Sequence, residues 1–182
     1  MKKKPVIVAT LFFLMIIINP RPTRAEVTDI ANAIYSYTDA LMLSGETASG
    51  KYPLEAVKTM AAIAEQAEKD RNAMGEYEVP MNENCSQREF LAHAAIDATR
   101  KLGVAGIITD SLTGETVRHL AAFRGPNPIL AICYNEKTQR WLNLSFGVIA
   151  IHQKDKISPN YMVTAALRML RQKGYILSLI PN

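Results

Sequence analysis

Short apolar runs alternate with stretches of helical periodicity along most of this 182-residue chain, and that alternation restricts the choice of folds more than any other feature. Strand-like runs fall at 105–109, 129–133 and 148–151, with helical segments at 113–124 and 136–145 between them. Chains that alternate strands and helices in this way build mainly parallel sheets, because each helix carries the chain back to the same end of the sheet. The pattern therefore predicts an α/β architecture.

Two capping boxes predict helix starts. Thr23 pairs with Glu26 and Ser86 pairs with Glu89, so that each side chain can satisfy a free backbone N–H. Pro53 suits the first turn of another helix. Backbone N–H groups in the first turn have no partner within the helix, so the N–H that proline lacks is not missed there. The positions expected to face a core are Val27, Ile30, Ala31 and Ile34; Leu54, Val57, Ala61 and Ala64; Leu91, Ala94, Ala95 and Ala98; and Val163, Ala166, Leu167 and Leu170.

The division into domains follows from a break in periodicity. Residues 71–85 carry Gly, Pro and several Asn and Glu residues without a helical or strand pattern, which indicates a linker. We therefore expect a first unit at 1–70, with a short buried strand at 40–43, and a second unit at 86–182. The last residues, 175–182, are predicted to form a strand.

Composition restricts the functional classes. Hydrophobic residues make up 48% and charged residues 21%, as in ordinary globular proteins. The net charge of +4 is mild, and Lys and Arg do not cluster with aromatic residues, so nucleic-acid binding is not expected. Cys85 and Cys133 are far apart, which favours reduced, packed thiols, and the three scattered histidines give no metal-binding spacing.

Residues 1–26 allow two interpretations. A basic start, an apolar stretch at 6–18 and Ala25 near a possible cleavage point outline a secretory signal, although Pro5, Pro20 and Arg24 weaken that outline. The other interpretation is a buried strand, VIVAT, that leads into an apolar helix. Thirteen apolar residues are fewer than the roughly 20 that span a bilayer.

Several long runs resemble pyruvate kinase. They are KPVIVAT at 4–10, PRPTRAEVTDIANAI at 20–34, DALMLSGETASGKYPLEAV at 39–57 and AGIITDSLTGETVRHLAAFRGPNPILAI at 105–132. The resemblance covers residues 3–10 and 19–174. It implies the last two βα units of a (β/α)8 barrel, followed by most of a C-terminal α/β domain with a mainly parallel sheet, in a cytoplasmic glycolytic enzyme.

The resemblance also implies the chemistry of phosphoryl transfer from phosphoenolpyruvate to ADP, with Mg2+ and K+ as cofactors of the whole enzyme. The Arg, the Lys and the Asp/Glu pair that serve that reaction belong to earlier barrel strands, which have no counterpart here. Thr10 matches an active-site Thr, and Ser44 and Glu46 match residues at the barrel mouth. Their plain alternative is structural: Ser44 ends a strand and Glu46 faces solvent. Arg24 matches a residue of the barrel–barrel subunit interface, or it is an ordinary surface Arg.

A phosphate-binding loop is the other implied site. Ser111, Thr113, Gly114 and Thr116 match the loop that holds the phosphate of a sugar-phosphate or nucleotide effector, and a helix N-terminus favours anions. Leu112 and Glu115 stand where effector-binding members often carry basic residues, and the negative charge of Glu115 opposes an anion. The plain alternative is a helix N-cap at Thr113.

Three hypotheses follow. The first is a truncated or degenerate pyruvate kinase: the run at 11–18 is apolar where the family has Gln and Glu, and the family's final strands have no clear match. It is expected to lack catalysis because the cationic and metal-binding residues have no counterpart here. The second is a non-catalytic α/β module that binds a phosphorylated effector or a protein partner. The third is a secreted or membrane-associated product. A quarter of a barrel leaves open strand edges, so the first unit is expected to be partly disordered, to pack on its own C-terminal domain or to self-associate, with self-association favoured.

Overall fold

The computed structural model describes residues 4–9, 17–75, 78–81, 83–154 and 158–172. The chain forms two compact units. The first comprises residues 1–80 with 144–146, and the second comprises 81–143 and 147–182.

The described residues of the first unit form two short parallel strands and three helices. In chain order they are β1 (Ile7–Val8), α1 (Arg24–Tyr35), β2 (Ala40–Leu41), α2 (Gly45–Ala48) and α3 (Pro53–Ala73). In the sheet, β1 pairs with β2 in parallel, with Ile7 opposite Ala40 and Val8 opposite Leu41. The core is formed by Ile30 of α1 together with Ala56 and Met60 of α3.

Local signals locate the helix starts of this unit correctly. The capping box of Thr23 and Glu26 is present, and Pro53 occupies the first turn of α3. The strand predicted at 40–43 is shorter and only partly buried. Helix α3 continues to Ala73, three residues into the segment predicted as a linker.

The inward face of α3 differs from the prediction. Leu54 and Val57 are 58% and 51% exposed, whereas Ala56, Met60 and Ala67 are buried. The helix carries apolar residues on two adjacent faces, and periodicity alone does not say which face packs against the sheet. In α1 the prediction holds better, because Ile30 and Ile34 are both buried.

The second unit is a three-stranded parallel sheet with helices. Its elements are α4 (Gln87–Lys101), β3 (Ile107–Ser111), α5 (Glu115–Ala122), β4 (Ile129–Cys133), α6 (Glu136–Leu142), β5 (Val148–His152) and α7 (Pro159–Gln172). The strand order is β3-β4-β5, with Ile107 opposite Ile129 and Ile129 opposite Val148. The predicted α/β class with parallel sheets is confirmed.

Strand β4 is the centre of this unit, and all five of its residues are buried. Leu130 and Ile132 form a core cluster with Ala166 of α7. The strand was predicted with its observed bounds, because a wholly apolar run of five residues that follows a Pro is typical of a central parallel strand.

Other details of this unit correct the prediction. Strand β3 begins at Ile107 instead of residue 105. The capping box of Ser86 and Glu89 is present, but Leu91 is 67% exposed while Ala92 and Ile96 are buried. In α7, Val163 is 43% exposed. The side chain of Leu170 and the predicted strand at 175–182 lie outside the described residues.

None of the helices in the described part of the chain is both long enough and apolar enough to cross a bilayer.

Candidate functional site

The carboxyl ends of β1 and β2 lie side by side, because the two strands are parallel and in register. Ser44 follows β2 by three residues. Thr10, which follows β1 by two residues, lies outside the described residues. Barrel enzymes place catalytic groups at this edge of the sheet. Ser44 therefore lies just beyond the carboxyl end of β2, and its match to a residue of a barrel mouth stays a prediction.

Glu46 is a structural carboxylate in this unit. It lies in α2 and is 0% exposed, so the expectation that it faces solvent is wrong. Its Oε2 atom accepts a hydrogen bond of 2.8 Å from the backbone N–H of Ser44. A buried carboxylate needs such donors, because it would otherwise lose its hydration without compensation. No local pattern in the sequence indicated this burial.

The turn around α2 is compact. A Cβ atom at Gly50 would lie 2.3 Å from the carbonyl oxygen of Glu46, so the chain passes closer there than any side chain allows. The N–H of Lys51 donates to the carbonyl of Ile17 at 3.0 Å, and the hydroxyl of Thr47 donates to the carbonyl of Ser44 at 3.3 Å. These contacts hold Ser44 and Glu46 in one arrangement.

Arg24 is the first residue of α1, and it is exposed. Residues three, four and seven positions apart share a helix face, so Arg24 continues the line of Val27 and Ala31. Those two residues line a groove of about 540 Å3 between α1 and α3. Ile63 and Ala67 of α3 also line this groove.

The loop between β3 and α5 holds the predicted phosphate-binding residues. The Oγ atom of Ser111, which is buried, accepts a hydrogen bond of 2.8 Å from the N–H of Gly114. Gly114 is the N-cap of α5 and has φ +78°, so the predicted cap at Thr113 is wrong. Glycine takes this left-handed conformation without strain. Thr113 and Thr116 are exposed.

Packing at position 114 is also tight. A Cβ atom there would lie 3.0 Å from the Cδ2 atom of Leu142, a fully buried residue of α6. Thr138, also in α6, donates from Oγ1 to the carbonyl of Leu112 at 3.2 Å. Helix α6 therefore fixes the shape of the loop from one side.

The charges beside this loop are paired. Glu115, the first residue of α5, forms an ion pair with Arg88 of α4, and both side chains are half exposed. Arg88 offsets part of the negative charge that Glu115 brings to the loop, although solvent screens an exposed pair of this kind. Leu112 is 67% exposed and adds no charge.

Sequence reasoning missed one polar pair at the same edge. The hydroxyl of Tyr134, just after β4, donates to Oδ2 of Asp110 in β3 at 3.3 Å. Burial and the Asp110 carboxylate raise the pKa of the Tyr134 hydroxyl. Both residues lie near the ends of adjacent parallel strands, and that position was the signal available in the sequence.

The described residues contain no group of three or more His, Cys, Asp and Glu side chains that could hold a metal ion. Cys85 and Cys133 are free thiols. Burial raises the pKa of the Cys133 thiol to about 11.

Comparison with known proteins gives consistent matches. The family model for the pyruvate kinase barrel domain matches residues 1–57, and the model for the pyruvate kinase alpha/beta domain matches residues 89–178. A pyruvate kinase of Borreliella burgdorferi is 44% identical over 174 residues, which are 94% of this chain and 36% of that protein. A pyruvate kinase of Clostridium acetobutylicum is 40% identical over 178 residues, 95% of this chain and 37% of that protein.

Solved structures give the same result. A crystal structure of Cryptosporidium parvum pyruvate kinase matches with a TM-score of 0.84 and 30% sequence identity. The match covers 97% of this chain and 37% of the Cryptosporidium chain. The structure of the Cryptosporidium parvum enzyme in complex with ADP matches with a TM-score of 0.83. That match covers 97% of this chain and 36% of the Cryptosporidium chain. The chain therefore spans little more than a third of the length of the relatives that it matches.

Proposed function

Since the chain belongs to the pyruvate kinase family, we propose that its residues form the last two βα units of that family's barrel and most of its C-terminal α/β domain, without catalysing phosphoryl transfer by themselves. The observation that carries this proposal is the pair of matches to the barrel domain and the alpha/beta domain, in a chain that spans little more than a third of its relatives. At the end of β2, Glu46 is 0% exposed and accepts a hydrogen bond from Ser44.

Phosphoryl transfer requires positive charge around the phosphate oxygens, which metal ions and cationic side chains supply. Ser44 is neutral and Glu46 is an acid, so neither residue supplies such charge at the end of β2. The resemblance assigns the cationic and metal-binding residues to earlier barrel strands. We infer that Thr10 and Ser44 would complete an active site only together with those strands.

Mg2+ and K+ are the cofactors of the whole enzyme in this proposal. The ligands of both cations belong, in this proposal, to the strands that the resemblance places earlier in the barrel. Phosphoenolpyruvate and ADP are proposed as substrates of the whole enzyme only.

A coupled assay with phosphoenolpyruvate, ADP, Mg2+ and K+ tests this proposal. We expect background turnover from the purified chain, and a rate above background would contradict it. The proposal also places the chain in the cytoplasm, as part of a glycolytic enzyme. An intact N-terminus in mass spectrometry of the cytosolic fraction would support that location, and cleavage near Ala25 would contradict it.

A second function is binding of a phosphorylated effector at the loop of Ser111, Thr113, Gly114 and Thr116. The positive φ of Gly114 favours it, because this conformation directs the chain from β3 into the N-terminus of α5, whose first N–H groups attract anions. Since the charge of Glu115 opposes an anion, Glu115→Gln should tighten the binding of fructose 1,6-bisphosphate in calorimetry. AMP and inorganic phosphate serve as comparison ligands. If neither the unchanged chain nor Glu115→Gln releases or absorbs heat with these ligands, this function is ruled out.

Self-association is the third part of the proposal, with a second copy of the chain covering the groove between α1 and α3. Its lining is apolar at Val27, Ala31 and Ile63. Lys58 and Asp70 lie among the lining residues, twelve positions apart on α3, or about 18 Å along the helix. A two-fold axis near the middle of that span would bring each Lys58 to the Asp70 of the other copy, as an isologous interface requires.

Charge exchange tests this arrangement. Light scattering of the purified chain should give the mass of a dimer, and Lys58→Glu should shift the equilibrium toward the monomer. Combining Lys58→Glu with Asp70→Lys should restore the dimer, whereas Lys69→Glu, at an exposed position next to the groove, should leave it unchanged. A monomer at every concentration, or a double variant as weak as the single one, would contradict the arrangement.

A further inference from the structure

We draw no further inference here: the strongest candidate, the exposed apolar stripe that Leu91, Ala94 and Leu102 form along α4 and its end, carries nothing because no described residue shows what covers it.

Discussion

The guanidinium of Arg71, in the last turn of α3, donates a hydrogen bond of 3.0 Å from Nη1 to the carbonyl oxygen of Ile34, in the last turn of α1. Arg71 is only 9% exposed, and its Cζ atom lies 4.3 Å from the centre of the Tyr37 ring. The Ile34 carbonyl also accepts the backbone N–H of Tyr37 at 3.0 Å, just after the end of α1. Arg71 adds a donor from α3, and so it links the ends of the two main helices of the first unit.

Replacing Arg71 with Met should destabilise the first unit. The change removes a charged hydrogen bond and leaves the Ile34 carbonyl without this donor, a loss of roughly 2 kcal/mol. Hydrogen exchange should show faster exchange of the amides in α1 and α3 of the variant. Lys69→Met changes a neighbouring exposed residue of the same helix and should alter stability by less than about 0.5 kcal/mol. Equal effects of the two variants would contradict the role of Arg71.

Gly50→Ala should disturb the turn that holds Ser44 and Glu46. The added methyl group would lie 2.3 Å from the Glu46 carbonyl oxygen, and relief of such a clash costs about 1–3 kcal/mol. Gly45→Ala is the matched control, because its Cβ atom would meet Ile17 at an ordinary 3.6 Å. Urea denaturation of both variants measures the difference. If Gly45→Ala were as destabilising as Gly50→Ala, the close approach at Gly50 would not be the cause.

Ser111→Ala should loosen the loop before α5. The variant loses the acceptor for the buried N–H of Gly114, and leaving such a donor unsatisfied costs about 1–3 kcal/mol. Thr113→Ala, at an exposed position two residues later, should be nearly neutral. Thermal unfolding of the two variants decides between Ser111 and the cap that the sequence predicted at Thr113. A larger loss from Thr113→Ala would favour the sequence-based prediction.

The Cys133 thiol should make stability depend on pH under alkaline conditions. Its pKa is about 11 in the folded chain against 9.0 for an ordinary thiol, so between these values the unfolded chain releases a proton that the folded chain retains. Stability should therefore fall as pH rises from about 9 to 11. In Cys133→Ala this fall should be smaller, whereas Cys85→Ala should keep the full decline. Denaturation curves measured at several pH values in this range give the comparison. Identical slopes for the chain and for Cys133→Ala would rule out the effect.

Local signals in the sequence predicted a large part of the fold. The capping boxes at Thr23 and Ser86, the proline at the start of α3 and the apolar strand β4 all depend on residues close to each other in the chain. Each of these signals has a local physical cause, and the helix start or strand that each one predicted was confirmed. The family resemblance added the two kinds of domain, which periodicity alone could not identify.

The inward faces of α3 and α4 were not predictable in the same way. Both helices are rich in Ala, so several adjacent stripes have similar hydrophobicity, and the partner surface decides which one is buried. Leu54 and Leu91 are exposed for this reason, while Ala56 and Ala92 are buried.

The candidate site shows the same limit. The full burial of Glu46 is a tertiary property that no local pattern indicates. Gly114 lies against Leu142 of α6, which is distant from it in the sequence. Sequence patterns located Ser44 and the loop at 111–116 at the ends of strands, but they could not determine the local role of each side chain.

Steady-state turnover by the purified 182-residue chain tests the central proposal most directly. With phosphoenolpyruvate, ADP, Mg2+ and K+ at saturating concentrations, we expect pyruvate formation at the background rate, because phosphoryl transfer needs cationic groups that the resemblance assigns to earlier barrel strands. A full-length pyruvate kinase in the same buffer serves as the positive control, and Thr10→Ala should not change the background. Pyruvate formation above background that Thr10→Ala lowers would contradict the account.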